Sequence, residues 1–143
     1  MIIDVMMESI RNKNILIVDD DERMLRALDK VFSSEGAVVV TTKWAEDAIE
    51  ILIRREKSMD LVITDLRMPV VTGVTMVYAV HLIFPDVPII VLTAFGSPEL
   101  KAECLRQGAA GFLEKNLSTS QLLTAVEEIF ASRETKHAQP VHN

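Results

Sequence analysis

Apolar residues along this chain come in short unbroken runs, separated by stretches in which they recur every three or four positions. The first run is Ile15-Leu16-Ile17-Val18, the composition of a strand buried on both faces. It stops at Asp19-Asp20-Asp21. Met24, Leu25, Leu28, Val31 and Phe32 then follow helical spacing, with Asp21 placed to cap the helix and Gly36 to stop it. Ala37 to Val40 predicts a second strand, and Ala45 to Arg55 a helix with Ala48, Ile49, Leu52 and Ile53 inward. Leu61 to Thr64 predicts the third strand. The helix after it runs from Gly73 to Phe84, carries Val77, Val80 and Phe84, and is ended by Pro85. Ile89 to Leu92 predicts a fourth strand ending at Thr93. Ser97-Pro98 opens the next helix with a capping hydroxyl and a proline in the first turn, and Gly108 closes it. Gly111 to Glu114 makes a weaker fifth strand ending at Lys115. The last helix, Thr119 to Ala131, turns Leu122, Leu123, Val126, Ile129 and Phe130 inward.

Five strand–helix units in strict alternation predict a parallel sheet covered by helices on both faces. Right-handed crossovers then give a doubly wound α/β fold. The five-stranded 2-1-3-4-5 order, the flavodoxin-like (βα)5 arrangement, fits the count. In that order strands one and three are neighbours, and the crevice at their carboxyl ends is where such sheets bind ligands. The folded domain is expected over residues 13–132. Residues 1–12 form a leader in which Ile3, Met6, Met7 and Ile10 fall at helical spacing, so it is either a short amphipathic helix or a frayed terminus. Residues 133–143 are polar and uncapped, and disorder is expected there.

Composition narrows the function. A chain of 143 residues suits one domain with a single proper core. The net charge of −6, with no run of lysines or arginines, counts against direct nucleic-acid or anionic-membrane binding. Cys104 is the only cysteine, which excludes an intrachain disulfide or a zinc cluster, and His81, His137 and His142 are scattered. The apolar start lacks a basic leading region and is interrupted by Asp4 and Glu8, unlike a signal peptide. No stretch has the length of a transmembrane helix, so the cytoplasm is the expected location.

The strand ends carry the chemistry. Strand one delivers Asp19 and Asp20, strand three Asp65, strand four Thr93 and strand five Lys115. Three carboxylates at one switch point cannot all stay ionised without compensation. A divalent oxygen-seeking cation, Mg²⁺ or Mn²⁺, supplies it and leaves room for a substrate phosphate. Asp65 could then attack a phosphoryl group to form an aspartyl phosphate, with the Thr93 hydroxyl and the Lys115 ammonium stabilising the charge that spreads over the equatorial oxygens. Asp21 reads as a helix cap rather than a ligand.

Ile-Leu-Ile-Val-Asp-Asp-Asp-Glu (15–22), Asp-Leu-Arg-Met-Pro (65–69), Leu-Thr-Ala (92–94) and Gly-Phe-Leu-Glu-Lys (111–115) resemble the receiver domain of two-component response regulators. The resemblance covers residues 13 to 131, and its four motifs stand in order at the predicted strand ends. It implies a phosphorylation-dependent switch rather than an enzyme, with at most slow self-phosphorylation from small donors and slow self-dephosphorylation. Asp65 would be the phosphoacceptor, served by a sensor histidine kinase or phosphotransfer protein. Asp19, Asp20, Asp65 and the backbone carbonyl of Arg67 would hold the metal. Thr93 and Phe112 would be the switch pair, and Lys115 the phosphate-binding lysine. The output surface would be the face of the fourth helix, fifth strand and fifth helix, used for homodimerisation or for an effector, in either a stand-alone receiver or a longer regulator.

The chain departs from the family where Asn116 follows Lys115, in place of a proline joined by a cis bond. A cis bond without proline costs roughly 3–4 kcal/mol, so the expectation is a trans bond with a displaced lysine or a strained cis bond. Arg67 and Phe95, two residues beyond the acceptor and the switch threonine, are expected to shield the phosphoryl group from water. Two rival readings are a haloacid-dehalogenase-type phosphatase, with Asp19 as nucleophile and Asp21 as acid, and a receiver-like module that binds without being phosphorylated. The first leaves Asp65-Leu-Arg-Met-Pro69 unexplained and meets Arg23 where that family expects threonine or valine.

Overall fold

A computed structural model describes residues 8–54 and 59–138. Its elements alternate as the sequence predicts: β1 (Asn14–Val18), α1 (Glu22–Ser34), β2 (Val38–Thr42), α2 (Ala45–Arg54), β3 (Leu61–Thr64), α3 (Gly73–Ile83), β4 (Ile89–Thr93), α4 (Pro98–Arg106), β5 (Gly111–Glu114) and α5 (Thr119–Ala138). The five strands form one parallel sheet in the order β2-β1-β3-β4-β5.

The period-two pleat sorts the all-apolar strands into two cores. Ile15, Ile17, Leu61, Ile63, Ile90 and Leu92 face α1 and α5, where they meet Leu25, Leu28, Phe32, Leu122, Val126 and Phe130. Leu16, Val18, Val62 and Val91 face the other way, onto Ala48, Leu52, Met76, Val77, Val80 and Cys104 of α2, α3 and α4. Helix ends follow local chemistry: Asp21, Thr72 and Ser97 cap α1, α3 and α4. Among the described residues no helix is long and apolar enough to cross a membrane.

Several expected boundaries shift. The second strand is Val38–Thr42 rather than Ala37–Val40, because it pairs with β1 residue for residue, Asn14 with Val38 through Val18 with Thr42. The ladder sets its length, and the β-branched Thr41 and Thr42 accept it. Ile53 is 64% exposed instead of inward, and Ile51 packs against the core in its place. α5 does not stop near Ala131 but continues to Ala138, into the stretch expected to be disordered.

Within the leader, Ile10 is fully buried among the α1–α5 side chains. Its carbonyl accepts the Lys13 N–H at 3.1 Å, and the Asn12 N–H reaches the Gly36 carbonyl at 2.8 Å. Burying such a side chain is worth roughly 1.5–3 kcal/mol, so this part of the leader is held in the core and is not frayed. The helix-or-frayed question for Ile3, Met6 and Met7 lies outside the described residues.

Candidate phosphoacceptor site

Asp65 follows β3 directly and is tied to β1, its N–H donating to the Val18 carbonyl at 3.1 Å. Asp19 follows β1, and its N–H donates to the Thr42 carbonyl of β2 at 3.1 Å. Lys115 follows β5, its N–H donating to the Thr93 carbonyl of β4 at 2.9 Å. Each side chain is thus fixed by the ladder bond that ends its strand.

The ammonium of Lys115 joins the two acids. Its Nζ lies 2.7 Å from Asp19 Oδ2 and 3.1 Å from Asp65 Oδ2. The remaining oxygens take backbone donors: Asp19 Oδ1 accepts the Asp21 N–H at 2.9 Å, and Asp65 Oδ1 accepts the Leu66 N–H at 2.7 Å. Both acids are almost fully buried, whereas Asp20 is exposed at the rim. One carboxylate oxygen from each of Asp19, Asp20 and Asp65 lies within 4.8 Å of the others, a spacing that one hard cation can bridge. Asp21 is not part of this set. It caps α1, its Oδ1 accepting the N–H groups of Arg23 at 3.0 Å and Met24 at 3.4 Å.

Burial pushes the Asp19 carboxyl above its ordinary value, although the Lys115 hydrogen bond, the Asp21 N–H and the Lys115 charge pull the other way. Burial pulls Lys115 down, but its bonds to Asp19 and Asp65 and their charges outweigh that and hold it above the ordinary lysine value. Two buried acids lean on one ammonium, and the charge is under-compensated.

Thr93 is fully buried at the end of β4, and its Oγ1 accepts the Phe95 N–H at 3.1 Å. Phe112 is half-buried on the α4 side of β5, against Gly96 of the β4–α4 loop; a Cβ on Gly96 would stand 2.9 Å from its ring. Among the described residues there is no cis peptide bond, so Lys115–Asn116 is trans. A turn closed by the Leu117 N–H and the Glu114 carbonyl at 3.2 Å carries the chain onward through Asn116.

Three features were not legible as contacts. The Arg67 guanidinium stacks on Phe95, 3.8 Å from the ring centroid. Gly73 admits α3 to the back of the acceptor, since a Cβ there would meet the Asp65 carbonyl oxygen at 2.2 Å. Gly96 makes the room that the Phe112 ring uses. Sequence placed Gly73 at the start of a helix, and it stands there. Nothing in the sequence flagged Gly96.

Comparisons with known proteins bear on the family and the fold. The Transcriptional regulatory protein GlrR of Escherichia coli (strain K12) is 36% identical over 115 residues, 80% of this chain and 26% of its own. The Transcriptional regulatory protein ZraR of Salmonella typhimurium is 35% identical over 128 residues, 88% of this chain and 29% of its own. The chain therefore spans under a third of the length of these relatives. A crystal structure of a CheY-like response regulator receiver domain protein from Methanospirillum hungatei JF-1 superposes with a TM-score of 0.82 at 25% identity, covering 87% of this chain and 98% of that one. Residues 15–127 match the response regulator receiver domain, and the chain belongs to that family.

Proposed function

We propose that Asp65 accepts a phosphoryl group from the phosphohistidine of a sensor kinase or phosphotransfer protein. The observation that carries this reading is the single ammonium of Lys115 shared by Asp19 and Asp65, beside a third acid. With the donor's other ring nitrogen protonated, its P–N bond breaks as an Asp65 oxygen forms the new P–O bond, and the bond pair stays on the ring, which leaves as neutral imidazole. Lys115 Nζ already contacts Asp65 and is set to pair with the phosphoryl oxygens. The buried Thr93 hydroxyl supplies a second donor once the group is in place.

Asp19, Asp20, Asp65 and the Arg67 carbonyl would hold Mg²⁺ or Mn²⁺. The donor set fits a hard cation, being all oxygen, mostly buried and short of positive charge. When bound, the cation supplies charge neutralisation at the acceptor. Phosphorylation adds about −1.5 to −2 charges, and it shifts the protein only as far as it binds one state better. Movement of Thr93 toward the phosphoryl group draws on the Phe95 N–H bond, and Phe112, packed on the same loop, follows. The α4-β5-α5 face would then carry the signal to an effector or a second copy. Slow self-phosphorylation from small donors and slow self-dephosphorylation belong to the same reading, as does action in the cytoplasm by a unit that takes in Ile10 and the whole of α5 to Ala138.

A phosphatase built on Asp19 and Asp21 is not favoured. Asp21 is spent on the helix cap and both Asp19 oxygens are engaged. The test is incubation with Mg²⁺ and acetyl phosphate or beryllofluoride, in wild type and in Asp65→Asn. An adduct lost in Asp65→Asn supports the receiver. Turnover abolished only by Asp19→Asn would establish the phosphatase, and no reaction would leave a binding module.

A further inference from the structure

β2 is an outer strand of the sheet, with β1 as its one neighbour among the described residues. Two bonds fix how it lies. The Val38 N–H donates to the Lys13 carbonyl at 2.8 Å, and the Thr42 carbonyl accepts the Asp19 N–H at 3.1 Å. In a parallel ladder alternate residues turn both backbone groups toward the same neighbour. Val38, Val40 and Thr42 therefore face β1, and the N–H and C=O groups of Val39 and Thr41 face outward. Among the described residues no backbone group pairs with them. The strand, Val-Val-Val-Thr-Thr, holds neither a charge nor a proline, the devices that usually keep such an edge from pairing. At its start Val38 is 49% exposed.

We propose that this edge pairs with β2 of a second copy of the chain, antiparallel about a two-fold axis at Val40, and joins two sheets into one. Val39 then stands opposite Thr41 of the other copy, and Thr41 opposite its Val39. Each such pair exchanges both of its backbone bonds. Val38 comes to lie against Thr42 of the other copy, which covers its exposed side chain.

The chemistry beside the strand favours a second copy as the occupant. On one face a shallow hollow of about 450 Å³ runs between β2 and α2, lined by Val40 to Thr42 and by Asp47, Glu50, Ile51 and Arg54. α2 begins acidic, at Glu46 and Asp47, and carries Arg54 in its last turn. The two-fold axis sets α2 antiparallel to its copy, so Asp47 of each comes opposite Arg54 of the other. The Arg54 guanidinium lies along this flank, 2.8 Å from Glu50, with both side chains exposed and donors to spare. On the other face Glu22, Arg26, Asp29 and Lys43 mix both signs beside Thr41 and Thr42. Neither flank turns a single sign of charge toward its own copy. A closed two-fold pair of this kind needs no further partner, and it leaves β5, at the opposite side of the sheet, free.

A five-residue edge makes a small interface, so the expected Kd is about 10 µM to 1 mM. The test is sedimentation of the full chain across that range, with amide exchange followed at both ends of it. The expected result is a mass that rises toward two copies, with exchange at Val39 and Thr41 slowing as it does. Val38, Val40 and Thr42 should exchange slowly throughout. Thr41→Pro deletes an outward N–H that the single chain leaves unused, and it should weaken self-association about tenfold or more. Arg54→Glu should weaken it about threefold, and adding Asp47→Lys should restore it. A single copy at every concentration would overturn the proposal. So would a dimer in which Val39 and Thr41 exchange as fast as before, or slow exchange at both in dilute protein, where the chain itself would be covering the edge. A double variant no stronger than Arg54→Glu would overturn the antiparallel arrangement. Should Thr41→Pro fail to fold, the exchange pattern and the exposed charge pair decide. The phosphoacceptor reading is not involved, and adduct formation at Asp65 is expected in all these variants that fold.

Discussion

Arg67 lies over the face of Phe95, its guanidinium carbon 3.8 Å from the ring centroid, and the contact joins the β3–α3 loop to the β4–α4 loop beside Asp65. Phe95 is 49% exposed, so the stack sits at the mouth of the site with its outer side in water. An exposed cation–π pair of this kind is worth about 0.5–1 kcal/mol. If that energy keeps water from the phosphoryl group, its loss speeds hydrolysis about two- to fivefold. The expected outcome is faster phosphate release in Phe95→Ala and in Arg67→Ala, with the double variant little faster than either. Slower release in Phe95→Ala than in wild type would remove the shielding role, and fully additive rates would uncouple the pair.

Gly73 predicts a steric test of the acceptor's support. A methyl at this position would stand 2.2 Å from the Asp65 carbonyl oxygen and 2.6 Å from Leu66 Cα, and neither backbone atom can swing aside. Gly73→Ala should therefore destabilise the fold by about 1–3 kcal/mol and reduce phosphorylation, because α3 must retreat from the loop that holds Asp65. Gly111→Ala is the control. Its Cβ would find its nearest neighbour at 3.4 Å, an ordinary contact. Thermal melts of the two variants should differ clearly; equal melting points would mean that α3 yields at no cost.

Asp19 and Lys115 set opposite ends of the stability profile. Asp19 is raised, chiefly by burial. A raised carboxyl contributes stability that is full below its unfolded value and lost as pH climbs through its folded value. The metal-free protein should lose stability on this account as pH rises through the carboxylate range. Lys115 is also raised, because Asp19 and Asp65 outweigh its burial. Its contribution is full at neutral pH and is lost only as pH rises through and beyond the lysine range. A divalent cation on Asp19, Asp20 and Asp65 should restore the first loss, by about 2.7 kcal/mol at a hundredfold excess over Kd. Melts with and without Mg²⁺ should show a gain at neutral pH that shrinks on acidification. In Lys115→Met, where no resident ammonium opposes the cation, the gain should be larger. An unchanged gain would mean that lysine and metal do not compete.

The fold was legible because β1, β3 and β4 are apolar runs ending at a charge or a hydroxyl, so composition and punctuation agreed at those three. The site was legible for the same reason, since Asp19, Asp65, Thr93 and Lys115 all stand at strand ends. What escaped is what periodicity does not encode. β2 is set by pairing with its neighbour, Ile10 by the space between α1 and α5, and the Arg67–Phe95 stack by the meeting of two loops distant in sequence. α5 outran its apolar stripe because helical hydrogen bonding continues where no proline or glycine stops it before Pro140.

Val70 carries the last prediction. It has φ of +72°, a conformation that a β-branched residue rarely adopts, in a tight turn closed by the Val71 N–H and the Pro69 carbonyl at 2.8 Å. Strain of this kind costs of order 1–3 kcal/mol. The side chain is 90% exposed, so packing repays little of it. Glycine takes a positive φ without a Cβ penalty, and Val70→Gly should relieve the strain and raise stability by about 1 kcal/mol in denaturant titrations. The turn also fixes the loop that presents Arg67. If strain there holds the Arg67 carbonyl toward the metal, Val70→Gly gains stability while Mg²⁺ affinity measured by calorimetry falls. If affinity is unchanged, the strain at Val70 does not serve the metal site.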